Sequence, residues 1–192
     1  MVALSDRIFM TAAEYLDWEL TQEERYEYWD GEVVAMSGAT RNHNRVSANC
    51  FRLLDDALVD RPCEAYIVDV KVQVALGQKY VYPDVVVTCD ERDKDPRFVQ
   101  FPCLIVEMLS PSTEAIDRGI KFAQYRKFTA LQEYVLVQVD QPFVEVFRRN
   151  AQGQWVLSEY TLEDRFCFES LNVEIAIADL YQQVTFESET PE

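Results

Sequence analysis

Apolar positions recur at helical spacing in one long stretch and at strand spacing in several others. In "TRNHNRVSANCFRLLDDALVD", Val46, Cys50, Leu53, Leu54 and Leu58 fall on one helical face, which predicts a long helix. Ahead of it, "TAAEYLDWE" opens a short helix, with Thr11 and Glu14 at capping-box spacing. "YEYWDGEVVAM" reads as two short strands turning at Asp30-Gly31. "AYIVDVKVQVAL" and "YVYPDVVVTC" read as a hairpin joined by a turn at Gly77, and "CLIVEMLS" as a further, mostly apolar strand. "PSTEAIDRGIKFAQYRKF" has helix-start chemistry at Ser112 or Thr113. "EYVLVQVD" and "FVEVFRRN" are strands flanking Gln141-Pro142, and "GQWVLSEY" adds another. "NVEIAIADLYQQV" mixes a strand-like start with a short helix. This order predicts an α/β fold whose sheet has mixed pairing, with additional C-terminal strands, and the length of 192 residues predicts a single domain over residues 1–192.

Composition narrows the picture. Hydrophobic residues make up 48% of the chain, enough for a substantial core, and only 5 Gly and 7 Pro argue against a disordered or fibrous chain. Eighteen basic residues against 34 acidic ones leave a net charge of −16, which repels nucleic acid at long range unless cations gather locally. The five cysteines (Cys50, Cys63, Cys89, Cys103, Cys167) are widely and irregularly spaced, without C-x-x-C, and read as reduced thiols of a cytoplasmic protein. "MVALSDRIFM" lacks the basic-then-apolar pattern of a signal peptide, and no apolar stretch reaches membrane-spanning length. Neither G-x-G-x-x-G nor the P-loop pattern occurs.

Two predicted strands each carry an acid in an apolar setting. In "VYPDVVV" Tyr82, Asp84 and Val86 share a face; in "LIVEMLS" Ile105, Glu107 and Leu109 do. On neighbouring strands Asp84 and Glu107 would converge. Two such carboxylates repel unless a cation lies between them, and Mg²⁺ accepts oxygen ligands of this kind together with waters. The competing reading of Asp84 is a strand-end carboxylate bonded to backbone N–H groups. Glu107 is less easily read that way, because fully buried glutamates are rare unless paired.

Pro83-Asp84 followed by Glu107 resembles the P-D…(D/E)-x-K pattern of the restriction-endonuclease-like superfamily, and the chain resembles its Uma-type endonuclease family. The stretches that carry the resemblance are "YEYWDGEVVAMSGAT", "NHNRV", "YVYPDVVV", "LIVEMLSPST", "DRGIKFAQYRKF" and "EYVLVQVD", in family order over most of residues 10–140. The resemblance implies a restriction-endonuclease-like fold, a mixed central β-sheet flanked by helices, with Asp84 and Glu107 on adjacent strands. It also implies phosphodiester hydrolysis dependent on Mg²⁺ (or Mn²⁺), with the metal on Asp84, Glu107 and the Met108 carbonyl. Nucleic acid, DNA first, is the implied partner, and a homodimer the implied assembly.

One departure stands out. Two residues after Glu107, where E-x-K has lysine, this chain has Leu109. The resemblance moves the lysine into the following helix, at Lys121. On a helical wheel Asp117, Lys121 and Tyr125 share one face, opposite an aliphatic stripe of Ala115, Ile116, Gly119, Ile120 and Ala123, and Lys127 at the stripe's edge is the rival. The plainer reading of Lys121 is a solvated lysine paired with Asp117. His43, the only histidine, matches a site histidine of the family and is otherwise a polar helix-start residue. Glu27 matches the family's first acid, with Glu32 as its rival, and both also suit a hairpin surface. Ser110, Ser112 and Thr113 read as helix caps or as part of an anion-facing helix start. Two further function classes stay open: a nuclease-fold binding or assembly protein without turnover, favoured by the acidic charge, and a small-molecule phosphodiesterase.

Overall fold

The computed structural model describes residues 8–36, 38–74, 77–111 and 113–186. The long periodic stretch is helix α2 (Arg41–Leu58), following α1 (Ala12–Trp18), and each begins at a threonine. Thr11 and Glu14 make the reciprocal capping box, and Thr40 Oγ1 accepts the His43 N–H at 3.2 Å. The first strands are β1 (Ile8–Phe9), β2 (Tyr26–Trp29) and β3 (Glu32–Ala35). Asp30 and Gly31, both at positive φ, form the turn between β2 and β3.

The two long strands expected on either side of Gly77 are each divided. The first becomes β4 (Glu64–Ile67) and β5 (Lys71–Val74), broken at Val68 and Asp69, whose φ angles are 46° and 57°. The second becomes β6 (Lys79–Val81) and β7 (Val85–Thr88), broken at Tyr82-Pro83-Asp84. β5 and β6 pair with each other, and β4 pairs with β7, but the two pairs belong to different sheets. Pro83 therefore sits where the chain leaves one sheet for the other, so its missing N–H breaks no ladder. The Val68 N–H donates to the Asp84 carbonyl at 3.1 Å and ties the two corners together. A β-branched residue at positive φ is strained, and this bond is one contact that holds it there.

The remaining strands are β8 (Phe98–Val99), β9 (Pro102–Leu109), β10 (Glu133–Gln138), β11 (Phe143–Arg149), β12 (Trp155–Thr161), β13 (Arg165–Phe168) and β14 (Val173–Ala176). The central sheet runs β12-β11-β10-β9-β7-β4 and is mixed, with β9 and β10 parallel and its other pairs antiparallel. A second six-stranded sheet, β1-β3-β2-β6-β5-β8, was not separable from the first in the sequence, and β13 and β14 form a small C-terminal hairpin. Between β9 and β10 lie α3 (Glu114–Ile116), a π-helical turn (Asp117–Lys121) and α4 (Phe122–Tyr125) in continuous succession. Thr113 precedes α3 without a side-chain cap, and Ser112 lies outside the described residues. α5 (Ile177–Leu180) is the last element among the described residues.

Alternation along the strands gives the central sheet two buried faces. Val85, Val87, Leu104 and Val106 pack with Val46, Cys50 and Leu54 of α2 and with Phe166 and Phe168 of the C-terminal hairpin. On the other face Val86, Ile105 and Leu109 pack with Val72 and Val81 of the second sheet and with Tyr125. Asp84 and Glu107 fall in register with this second face, so the site opens between the two sheets.

The cysteines require a correction. Reduced thiols were expected throughout, but Cys63 and Cys89 form a disulfide, and Cys50, Cys103 and Cys167 are free. β4 and β7 pair through Glu64 and Thr88, so Cys63 and Cys89 stand opposite each other one step beyond. Sequence spacing does not reveal a cross-strand pair set by register. No helix among the described residues is long and apolar enough to cross a membrane.

Candidate active site

β7 and β9 pair antiparallel with Val85 opposite Val106, and one further step in that register sets Asp84 beside Glu107. Asp84 Oδ2 accepts the Met108 N–H at 2.7 Å and lies 3.4 Å from His43 Nε2 at the start of α2. The structure thus gives Asp84 the backbone bond of the plainer reading and also a place at the acid pair. In an extended strand the N–H and C=O of one residue point to the same side. The Met108 carbonyl therefore faces the side from which Asp84 approaches.

Glu107 is buried toward the C-terminal end of β9. Its Oε1 accepts from Lys121 Nζ at 3.2 Å and from the Tyr125 hydroxyl at 3.0 Å. Lys121 Nζ also lies 3.3 Å from Glu27 Oε1 and 3.3 Å from Asp117 Oδ1, so one ammonium faces three carboxylates. Glu27, on β2, is oriented by the Trp29 indole N–H at 2.9 Å and by the Tyr82 N–H at 3.3 Å. Its rival Glu32 sits on β3, opposite Trp29 and Phe9. Lys127 is exposed and donates to Gln124 Oε1 at 3.0 Å.

Lys121 reaches the acids because the helical segment is inverted. Asp117, Lys121 and Tyr125 are buried, whereas Ile116 is 45% exposed and Ile120 59% exposed. The π turn begins at Asp117, whose carbonyl accepts both the Phe122 N–H and the Tyr134 hydroxyl, the latter at 3.1 Å. Such turns widen a helix locally and recur at functional sites. The sequence singled out Asp117 only as a partner for Lys121. The signal for its burial was the i, i+4 series Asp117–Lys121–Tyr125, masked by the stronger aliphatic stripe.

The electrostatics follow from burial. Desolvation raises the Glu107 carboxyl well above its ordinary pKa; Lys121 opposes the shift, and Asp117, Asp84 and Glu27 add to it. Desolvation raises Asp117 as well, again opposed by Lys121. For Lys121 burial disfavours the charge, but Glu107, Glu27 and Asp117 together outweigh it and hold the ammonium well above its ordinary range. His43 is likewise raised: burial lowers it, and its hydrogen bond and charge pairing with Asp84 overcome that. The site is thus a buried cluster whose negative charge exceeds its positive charge.

Among the described residues, no group of three or more His, Cys, Asp or Glu side chains is placed to hold a metal ion by itself. The expected set is smaller: the carboxylates of Asp84 and Glu107 with the Met108 carbonyl. Three hard oxygens beside a charge-excess pocket fit Mg²⁺ or Mn²⁺, ions that keep several waters.

Residues 12–178 match the Uma2 family, described as "Putative restriction endonuclease". The chain belongs to the Uma2 family. The chain is 39% identical over 178 residues to the uncharacterized protein slr1290 of Synechocystis sp., covering 92% of this chain and 94% of the relative. It is 36% identical over 162 residues to the uncharacterized protein sll1609 of the same organism, covering 83% and 92%. The fold is similar to a crystal structure from Anabaena variabilis described as "a putative nuclease belonging to DUF820", with a TM-score of 0.74 and 18% identity over 92% of this chain and 99% of that one. Uma2 membership and this fold agree with the restriction-endonuclease-like architecture expected from the sequence.

Proposed function

We propose that this Uma2 chain is a metal-dependent nuclease that hydrolyses phosphodiester bonds, with DNA as its favoured substrate. The observation that carries the reading is the Lys121 ammonium, 3.2 Å from Glu107 on an inverted helix, in a chain whose strand position for lysine holds Leu109. Asp84, Glu107 and the Met108 carbonyl would hold Mg²⁺ or Mn²⁺, which when bound supplies an activated water and stabilises charge on the attacked phosphate. Lys121 stabilises negative charge developing on phosphate oxygens, the preorganised role that dominates many such sites. Glu27 and Asp117 hold the ammonium in place, and Tyr125 fixes the Glu107 carboxylate. His43, protonated more readily than a free histidine, orients Asp84 and can donate a proton at Nε2.

Arg41 and Arg45 are exposed in the first turns of α2, the helix that carries His43, and supply positive charge there for phosphate contacts. A homodimer completes the proposal, since a two-fold pair presents two sites to the two strands of a duplex. The second reading, a nuclease-fold binding protein without turnover, is favoured by the net charge of −16. The test is cleavage of DNA, RNA and cyclic nucleotides with Mg²⁺ and with Mn²⁺, by wild type and Glu107→Gln. Metal-dependent cleavage by wild type alone supports the nuclease. Inactivity of wild type on every substrate supports the binding protein.

A further inference from the structure

Away from the acid pocket, three sulfurs meet at the other end of the central sheet. Cys63 adjoins β4, Cys89 adjoins β7 and Cys103 lies on β9, so three neighbouring strands each supply one. Cys89 is the middle one. It is bonded to Cys63, and its Sγ lies 3.6 Å from Cys103 Sγ. The Cys103 thiol also donates to the Val87 carbonyl at 3.3 Å, which holds it along the strand toward Cys89. All three residues are half-buried. A groove of about 640 Å³, lined by Cys89, Asp90, Arg92, Phe101, Cys103 and Thr129, opens directly onto the pair Cys89 and Cys103.

We propose that Cys63, Cys89 and Cys103 form a thiol–disulfide exchange centre. Cys103 loses its proton to solvent, and its thiolate attacks Cys89 Sγ. A Cys89–Cys103 bond forms, the Cys63–Cys89 bond breaks, and Cys63 leaves with the electron pair and takes up a proton. The step is an isomerisation and needs no external oxidant. Its structural effect is specific: the staple moves from β4–β7 to β7–β9, the two strands that carry Asp84 and Glu107 at their other ends. Burial pushes the Cys103 thiol up to about 12, with Glu133 and Asp93 adding to the shift and backbone N–H groups opposing it. The thiolate is therefore scarce and the exchange slow, on the minutes-to-hours scale of uncatalysed rearrangement, so both isomers can be trapped.

The test is alkylation of the native air-oxidised protein with N-ethylmaleimide, followed by digestion without reduction and mass mapping of linked peptides. Wild type should yield both Cys63–Cys89 and Cys89–Cys103 links. Cys103→Ser should yield only the first, and Cys63→Ser should form the second. Since Cys63→Ser could fold poorly, its circular dichroism is checked, and the wild-type map stands as evidence without it. Absence of a Cys89–Cys103 link from wild type overturns the proposal, as does recovery of all three cysteines as free thiols.

Discussion

Glu107 is held by one ammonium and one phenol in a place from which water is almost excluded. Its folded-state pKa is raised, first by desolvation, so the folded chain keeps a proton that the unfolded chain releases above about pH 4.3. The stability linked to this group is full below that pH and is lost as pH rises through the raised folded value. Glu107→Gln removes the ionisation and keeps an acceptor for Tyr125. Its melting temperature should exceed that of wild type at neutral pH, by about 2–4 °C for each kcal/mol recovered, and the gap should close toward about pH 4. Melting curves across this range check it; a gap independent of pH contradicts the burial argument. At this scale much of the cluster was legible. Asp84 and Glu107 stood out as acids in apolar strands, and His43 as the only histidine. The gathering of Glu27, Glu107 and Asp117 around one lysine was legible only through the family resemblance, which pointed to Glu27 and Lys121, and through the i, i+4 spacing of Asp117 and Lys121; it joins residues from β2, β9 and the π turn, which local pattern does not relate.

Among the elements, the helical segment between β9 and β10 departs most from pattern reasoning. An aliphatic stripe ordinarily marks the buried face of a helix. Here Ile116 and Ile120 face outward, while Asp117, Lys121 and Tyr125 face the sheet. The reason is that Glu107, buried on β9, needs a cation and a hydroxyl, and leaving a buried carboxylate unpaired costs more than exposing two isoleucines. Replacing both Ile116 and Ile120 by serine should change stability by only about 0.5 kcal/mol each, as at ordinary surface positions. Chemical denaturation measures it; a loss of about 2 kcal/mol or more per site, typical of core truncation, would show that this face is covered. The divided strands fail to be read for a different reason. β4 and β5, like β6 and β7, are separated by only three residues, and the handover between sheets at Val68-Asp69 and at Pro83-Asp84 is set by tertiary pairing. Pro83 was the one local mark of it. By contrast, α2 and the Thr11 capping box were legible because both depend on short-range spacing alone.

Over the whole molecule, the charge of −16 works against a polyanionic substrate, and Arg118 is committed to Glu114 and Glu145. A divalent ion reverses the local balance, since it adds positive charge where buried carboxylates outnumber cations. An ion that binds only the folded state raises stability by mass action, about 2.7 kcal/mol at a hundredfold excess over Kd. Mg²⁺ or Mn²⁺ should therefore raise the melting temperature of wild type and much less that of Asp84→Ala; an equal rise in both would place the ion elsewhere. The fold, the acid pocket and the inverted helix together carry the proposal that Lys121 serves the acid pair in hydrolysis. The most direct measurement is the rate of Mg²⁺-dependent DNA cleavage by wild type, Lys121→Ala and Lys127→Ala, each assayed below its own melting temperature. That control is needed because removing Lys121 leaves buried carboxylates unpaired and costs about 3–5 kcal/mol of stability. The predicted result is a loss of about 10²-fold or more for Lys121→Ala while Lys127→Ala stays near wild type. A folded Lys121→Ala protein that cuts DNA at the wild-type rate would contradict the account.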